Sequence, residues 1–568
     1  MPVLKRFASK RLLRIMRGYR RLKAENRLSC IVELKEALTN AQLNFVAEQA
    51  DARIFGAGQK DAEIIIRQYL LVRAAGLNLN KALLASLGGG GAVACPLPAP
   101  WQKIVREHGF AVAGFRCSVL WYAYVALLGV YGLWLLLGAI FTGLKESVRP
   151  SWTLLGRYAY FFSLVPGNLP QPGEDGRSHD IMSWYLQWPE RNLNLDTLAH
   201  GVQSLPTGNM QGVRVVPLPQ QLPPLLGVKC ILHFLTWGLL AAAMALLDLL
   251  RGRWWHALIL GESVRAEQVR QCDPSHLARD YLFHNSGHIY RPLWTYEAEN
   301  YGSRILFYFY STNCESIKTR FGYPIQANSW QAMSWPHYLV WNEGQAEFVR
   351  RAVGQGANID VVGPIWFHSS SVQMPSLPQR TIAVFDVQPV RPAFYRTLGL
   401  ALDYYIPQTA NRFLSDIYES GRKCGVKVAL KRKRKIGRLA HPSYSRFVES
   451  LDGSSDFIAI DPDISAVRVI EQSTAVISMA FTSTALIARE LARPSCYYDP
   501  TGIIQKDDRA AHGIEIISGR EELDRWLRSM VGEEGRCNLM EAEDTTEKMP
   551  EMANELPDFP NTKRSLVG

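Results

Sequence analysis

The chain has 568 residues, is 47% hydrophobic and carries a formal net charge of +11, with an isoelectric point near 9.1. That length and apolar content call for two or more globular domains and exclude a chain disordered throughout. Nine cysteines are scattered with no CxxC pair, which argues against structural zinc and for a reducing compartment. The basic excess leaves anionic lipid or phosphorylated substrates as partners, because no nucleic-acid-binding motif accompanies it.

The first 25 residues crowd Lys5, Arg6, Lys10, Arg11, Arg14, Arg17, Arg20, Arg21 and Lys23 around Leu12, Ile15, Met16, Tyr19 and Leu22 at helical spacing. This predicts a basic amphipathic helix on an anionic membrane surface, with a solvated basic tail as the alternative. Arg and Lys interrupt the first 27 residues throughout, so no cleavable signal peptide is expected. Residues 26–115 read as helical and end in the glycine run 88–91 and Pro96-Leu97-Pro98.

Two segments are apolar enough for a membrane. Residues 118–144 hold no charge, and residues 230–250 are interrupted only by His233 and Asp248 before Arg251, Arg253, Trp254 and Trp255. Two true spans would put residues 145–226 across the membrane from the rest of their domain, so a re-entrant or monotopic hairpin is the preferred topology.

Residues 151–368 are expected to form a first α/β domain interrupted by the second apolar segment. Its predicted strands are Ser303–Tyr310, Tyr338–Trp341 and Ile359–Val362, with a helix over Glu343–Val353. A linker at 369–379 leads to a second domain, 380–531. It opens with the strand Thr381–Val387, continues through a helix around Asn411–Cys424 and the strand Val426–Leu430, and closes with Ile514–Ile517 and a helix over Arg520–Met530. Between Phe457 and Pro500 the pattern is densest: strand FIAI, helix ISAVRVIEQ, strand AVISMAF, the turn Thr482-Ser483-Thr484, helix ALIARELA and strand SCYYD. Apolar runs alternating with amphipathic helices predict parallel sheets, so the fold class is α/β with two Rossmann-like domains and a cleft between them. Residues past 532 are acidic and poor in apolar residues, and a disordered tail is expected there.

The chemistry is expected at the carboxyl ends of the strands. Lys431-Arg432-Lys433-Arg434-Lys435 follows a short apolar strand, and His441-Pro442 comes soon after. With Thr482, Ser483 and Thr484 these form a predicted phosphate site, Lys431, Lys433 and Arg434 supplying the charge. Asp386, at the end of TIAVFDV, binds donor or caps a helix, and Arg391 is a weaker donor candidate. In HNSGHIYRPLWTYEAENYGSR, Glu297 is the candidate base with Glu299 or His288 behind it, the alternative being a polar surface loop. Asp461-Pro462-Asp463 has the letters of a metal-binding pair but is read as a helix start capped by Asp463, and no metal is required.

The basic strand, His441-Pro442 and the hydroxyl turn together resemble the GT-B glycosyltransferases that use cytidine nucleotides. These include bacterial sialyltransferases, capsule Kdo transferases and, more distantly, CDP-glycerol glycerophosphotransferases. The resemblance covers about residues 270–530 and implies that His441 and Pro442 contact the cytidine nucleotide and Thr482, Ser483 and Thr484 its phosphate. Leu339–Trp366 is similar to the end of a GT-B amino-terminal domain. YFFSLVPGNLPQP, DIMSWYLQW and YFYSTN are similar to bacterial surface-polysaccharide biosynthesis proteins. The chain departs from sialyltransferases in lacking their Asp-(Asp/Glu)-Gly base motif. It departs from retaining UDP-hexose enzymes in lacking Gly-Gly and spaced Glu around 478–490.

The expectation is therefore a membrane-associated GT-B glycosyltransferase at the cytoplasmic face of an inner membrane, with no cofactor beyond its nucleotide-sugar donor. That donor would be a CMP-activated sugar such as Kdo or a sialic-acid-like nonulosonate, and the partners a glycan or lipid-linked glycan acceptor and anionic lipids. A CDP-alcohol phosphotransferase and a non-catalytic polysaccharide assembly scaffold are the rivals.

Overall fold

The computed structural model describes residues 2–40, 59–148, 152–170, 180–203, 208–318, 322–323, 328–365, 372–390, 404–432 and 437–531. The expected acidic tail, Arg391, and Lys433 and Arg434 of the basic cluster lie outside the described residues.

In the amino-terminal region, α1 (Pro2–Ala24), α2 (Gln59–Ala75) and α3 (Leu77–Gly89) precede the long helix α4 (Gly114–Val148). Helices α1 and α3 cross at contact distance: a Cβ on Gly18 would lie 1.9 Å from the Leu84 carbonyl oxygen, and one on Gly88 1.9 Å from that of Arg14. Ile15, Tyr19 and Leu22 are buried in this packing. The apolar stripe of the basic helix is thus taken up by protein, not by a membrane surface, and Leu12 and Leu13 remain exposed.

The first sheet contains β1 (Tyr158–Phe161), β2 (Thr197–His200), β3 (Gly208–Met210), β4 (Val213–Pro217), β5 (Asp280–His284), β6 (Arg304–Tyr308), β7 (Tyr338–Val340) and β8 (Ile359–Val361). Their order is β3-β4-β2-β1-β5-β6-β7-β8, parallel except for the β3–β4 pair. Inserted between β4 and β5 are α5 (Val228–Leu250) and α6 (Leu260–Gln271); α7 (Trp294–Asn300) joins β5 to β6, and α8 (Glu343–Val353) joins β7 to β8.

The second sheet contains β9 (Thr381–Phe385), β10 (Lys427–Lys431), β11 (Phe457–Ile460), β12 (Ala475–Met479), β13 (Ser495–Asp499) and β14 (Glu515–Ser518). It is parallel throughout, in the order β11-β10-β9-β12-β13-β14. Helices α9 (Pro407–Lys423), α10 (Pro442–Leu451), α11 (Ala466–Glu471), α12 (Thr484–Glu490) and α13 (Arg520–Val531) pack around it. Successive side chains of a strand point to opposite faces, so β9 sends Ile382 and Val384 into one core and Ala383 and Phe385 into another. A strand buried on both faces is apolar at nearly every position, which is why this domain reads so clearly in the sequence.

Helices α4 and α5 are long and apolar enough to cross a membrane. They pack antiparallel: a Cβ on Gly238 would lie 2.4 Å from Leu136, one on Gly143 would meet Leu225, and at the other end the Tyr122 hydroxyl donates to the Gly252 carbonyl at 3.2 Å. Gly132 lets α4 also touch Leu260 and Gly261 of α6. Their outer faces expose Leu127, Trp134, Leu137, Phe141, Leu239, Leu240 and Leu246. Strands β1 to β4 lie in the chain between these two helices, yet β1 pairs with β5, Ala159 opposite Asp280. Two opposite crossings would put hydrogen-bonded neighbours of one sheet on different sides of a bilayer. A pair of transmembrane spans is therefore incompatible with this sheet.

Candidate active site

In the second sheet the chain moves from β9 outward through β10 and β11, then crosses back to β12 and outward through β13 and β14. The order reverses between β9 and β12, and at such a reversal the loops beyond the carboxyl ends part and leave a crevice. Asp386 follows β9 directly, Lys431 ends β10, and Thr482-Ser483-Thr484 follows β12.

Asp386 is 3% exposed and its Oδ2 accepts a hydrogen bond from the Tyr444 hydroxyl of α10. It caps no helix. Its Oδ1 is buried with no hydrogen-bond partner among the described residues. Burial pushes this carboxyl up to about 7, against the pull of Arg432 and Lys431.

His441 occupies the cap position of α10. Its Nδ1 accepts from the Ser443 backbone N–H at 3.3 Å and lies 2.8 Å from the Ser443 hydroxyl. Its own N–H donates to Pro389 at 2.9 Å, holding it beside the loop after β9. Pro442 starts the helix, where its missing N–H leaves nothing unsatisfied, so the His-Pro pair has a local structural reason to exist.

In the hydroxyl turn, Thr484 Oγ1 is hydrogen-bonded to Ser478 at 2.9 Å and to Thr482 at 3.0 Å. The Ser483 hydroxyl accepts from the Thr312 N–H at 3.0 Å and from the Thr312 hydroxyl at 3.1 Å, and donates to Asn313 Oδ1 at 3.1 Å. Expected as a phosphate ligand, Ser483 is here a bridge to the first domain. Its hydrogen bonds are spent on the loop after β6.

The first sheet has a reversal of its own, between β1 and β5. Ser163 follows β1 with φ of 55°, a left-handed conformation that a side chain with a Cβ adopts only under constraint. Its carbonyl lies 3.4 Å from His284 Nε2 and its hydroxyl 3.4 Å from His288 Nδ1. Gly287 admits this approach, since a Cβ there would lie 2.3 Å from the Ser163 hydroxyl. The stacked rings of Phe162 and Phe283, 4.1 Å apart, meet His288 edge-on. Burial lowers both histidines to about 4, so both imidazoles are neutral near pH 7.

The carboxylates expected to work here are elsewhere. The end of α7 adjoins the amino edge of the sheet, where the Ser303 hydroxyl donates to Ala278 just before β5. Glu297 is buried and ion-paired with Arg270 at 3.4 Å; Glu299 pairs with Arg291, whose guanidinium stacks on Tyr296. Both carboxylates are engaged in ion pairs, Glu297 with the end of the helix α6 that leads into β5. Asp463 caps no helix either: its N–H donates to Asp461 Oδ1 at 2.8 Å, and α11 starts at Ala466 behind Ser465. Among the described residues no group of three or more His, Cys, Asp or Glu could hold a metal ion.

Ser163, His284, Thr312 and Asn313 escaped the sequence reading as site residues. The available signal was position: each ends or follows an aromatic strand, in YFFS, LFH and YFYSTN. The domains also meet through the Lys318 N–H on Asp508 at 2.8 Å, Arg509 on Glu315 at 3.1 Å and His512 on Asn342 at 2.8 Å.

Residues 237–527 match the family model described as polysaccharide biosynthesis PFTS motif protein. No curated protein matches the chain. Among solved structures it is similar to a ugt transferase from Siraitia grosvenorii in complex with UDP, at 12% identity over 67% of this chain and 92% of that one, with a TM-score of 0.32. It is also similar to the UDP-GlcNAc 2-epimerase of Methanocaldococcus jannaschii, at 8% identity over 66% of this chain and 91% of that one, again with a TM-score of 0.32. Similarity this low does not speak for a shared activity.

Proposed function

We propose, from the premise that this chain belongs to the family of polysaccharide biosynthesis PFTS motif proteins, that it is a glycosyltransferase of the GT-B type. It takes a sugar from a nucleotide-activated donor and adds it to a membrane-held glycan acceptor. The chain reads Ala480-Phe481-Thr482-Ser483 after β12, matching the letters of the family description at all but the first, and this segment borders the crevice of the second sheet.

The observation that carries the reading is Asp386 Oδ1, a buried acceptor without a partner at a strand-order reversal, next to Lys431 and Arg432. A buried polar atom left unpaired costs about 1–3 kcal/mol, and a ligand hydroxyl would remove that penalty. The donor's ribose supplies such a hydroxyl and its phosphate suits the two cations. Across the crevice, His288 is the base: neutral at physiological pH, it accepts the proton of the acceptor hydroxyl. That oxygen bonds to the anomeric carbon as the bond from this carbon to phosphate breaks, and Lys431 with Arg432 stabilises the departing nucleotide.

The favoured donor is a CMP-activated acidic sugar such as Kdo or a nonulosonate, from the His441-Pro442 resemblance. The α4–α5 pair sits monotopically in the cytoplasmic leaflet of an inner membrane, its outward faces in lipid. A thermal-shift panel of CMP, CDP and UDP tests the donor site: stabilisation by a nucleotide in wild type and its loss in Asp386→Ala is the expected result. No response to any nucleotide would favour the scaffold reading, and a phosphorus-containing product from a CDP-linked donor the phosphotransferase reading.

A further inference from the structure

Away from the crevice, a cavity of about 470 Å³ lies between α2 and α4, walled by Tyr69, Trp101, Tyr124 and Tyr290 around one cation, Arg73. The Arg73 guanidinium sits 4.1 Å from the centroid of the Tyr124 ring and 5.5 Å from that of Trp121, and donates to the Pro96 carbonyl at 3.1 Å. No carboxylate among the described residues pairs with it. Rings and one carbonyl hold this half-buried cation in place without neutralising it.

A wider groove of about 1280 Å³ between α1 and α3 shares Asn78, Cys95 and Pro96 with the cavity, so the two adjoin along these residues. Among the described residues, Lys10, Arg11, Arg14 and Lys81 line it, no acidic residue lines either space, and none of these cations has a carboxylate partner. Two features tie the adjoining spaces to the rest of the molecule. Tyr124 belongs to α4, along which Leu120, Tyr122 and Leu127 are exposed. Tyr290 is two residues beyond His288.

We infer that the adjoining cavities bind the phosphate head of a lipid-linked acceptor, an anionic phosphate or diphosphate on a long apolar chain. The cations of α1, α3 and Arg73 take the charge, the aromatic wall takes the first part of the chain, and the outer face of α4 guides the remainder into lipid. The basic helix whose apolar side is buried in protein thereby acquires a specific anion in place of a general membrane surface. This rests on the reading of a membrane-held acceptor, and it adds where that acceptor is gripped.

The test is flotation of the full chain with phosphatidylcholine vesicles, alone or doped with a long-chain prenyl phosphate, without donor or turnover. Wild type should bind the doped vesicles at least tenfold more tightly. Arg73→Met and the groove-wall variant Lys81→Glu should each lose roughly fivefold or more of that gain, as expected for a cation at an anionic head, with circular dichroism unchanged. His288→Ala should float like wild type while failing in transfer, which separates loss of this site from loss of the transferase reading. Equal binding to both vesicle types would overturn the inference. So would equally tight binding to phosphatidylglycerol vesicles of matched charge, full competition by inorganic diphosphate at the concentration of the lipid, or wild-type binding by both cavity variants.

Discussion

The two crevices of this protein are built alike and charged differently. Each lies where the strand order of a parallel sheet reverses, yet the first presents Ser163, His284 and His288, all neutral near pH 7, and the second presents Asp386 under the pull of Lys431 and Arg432. Sugar transfer from a nucleotide is served by this division, because a leaving phosphate is stabilised by positive charge and an attacking hydroxyl gives its proton to an unprotonated base. A second imidazole or a buried cation brought to the same spot would lower the base further.

The largest effect expected from breaking the comparison is on the neutral side. His288→Ala should slow transfer by roughly a hundredfold or more and leave nucleotide binding unchanged, measured as initial rate beside calorimetric titration; a parallel fall in nucleotide affinity would blur the division. Next, Asp386→Ala should weaken nucleotide binding by roughly tenfold to a hundredfold, the worth of a hydrogen bond to a buried charged group, while the rate at saturating donor changes less.

Asp386 also predicts a pH dependence of stability. Its folded value, about 7, lies above the ordinary carboxyl value of 3.8, so between these limits the folded state binds more protons than the unfolded one. The carboxyl's contribution is fully favourable below the lower limit and turns against folding as pH rises toward 7. Over that window it would remove up to about 4 kcal/mol. Urea melts between pH 4 and 7 should show this slope in the unliganded wild type and a flatter one in Asp386→Asn.

The smallest effect belongs to the bridge between the crevices. Ser483→Ala deletes the hydroxyl shared with Thr312 and Asn313 and should lower stability by about 1 kcal/mol, with faster amide exchange at Thr312 as the local sign.

The two regions were also unequally legible. In the second sheet, TIAVF and AVISM are almost wholly apolar because both faces of these central strands are covered, and with FIAI the observed strands fall within a residue or two of the expected ones. In the first, β6, β7 and β8 were found near their expected positions, whereas the four-residue β1 and β2 and the strand DYLFH were not separated from their surroundings. They are short, and Arg, His or Asp stands at their ends. The positions of Asp386 and the hydroxyl turn at strand ends were legible because a strand and the turn after it are adjacent in the chain, whereas the bridge that Ser483 makes to Thr312 was not. The ion pair that engages Glu297 with Arg270 was not legible, because its partner comes from another helix.

Local chemistry, then, was written in the residues: apolar runs of strand length, a basic helix, two long apolar helices, and polar groups stationed just after strands. These follow from nearest-neighbour preferences and side-chain period, which need no knowledge of partners. Which strands become neighbours is a long-range choice made by packing. That choice sets the reversals at β1/β5 and β9/β12, brings Ser163 against His288, spends Ser483 on the facing domain, and forbids α4 and α5 from crossing a bilayer as a pair, since the sheet on either side of them in the chain is one hydrogen-bonded body.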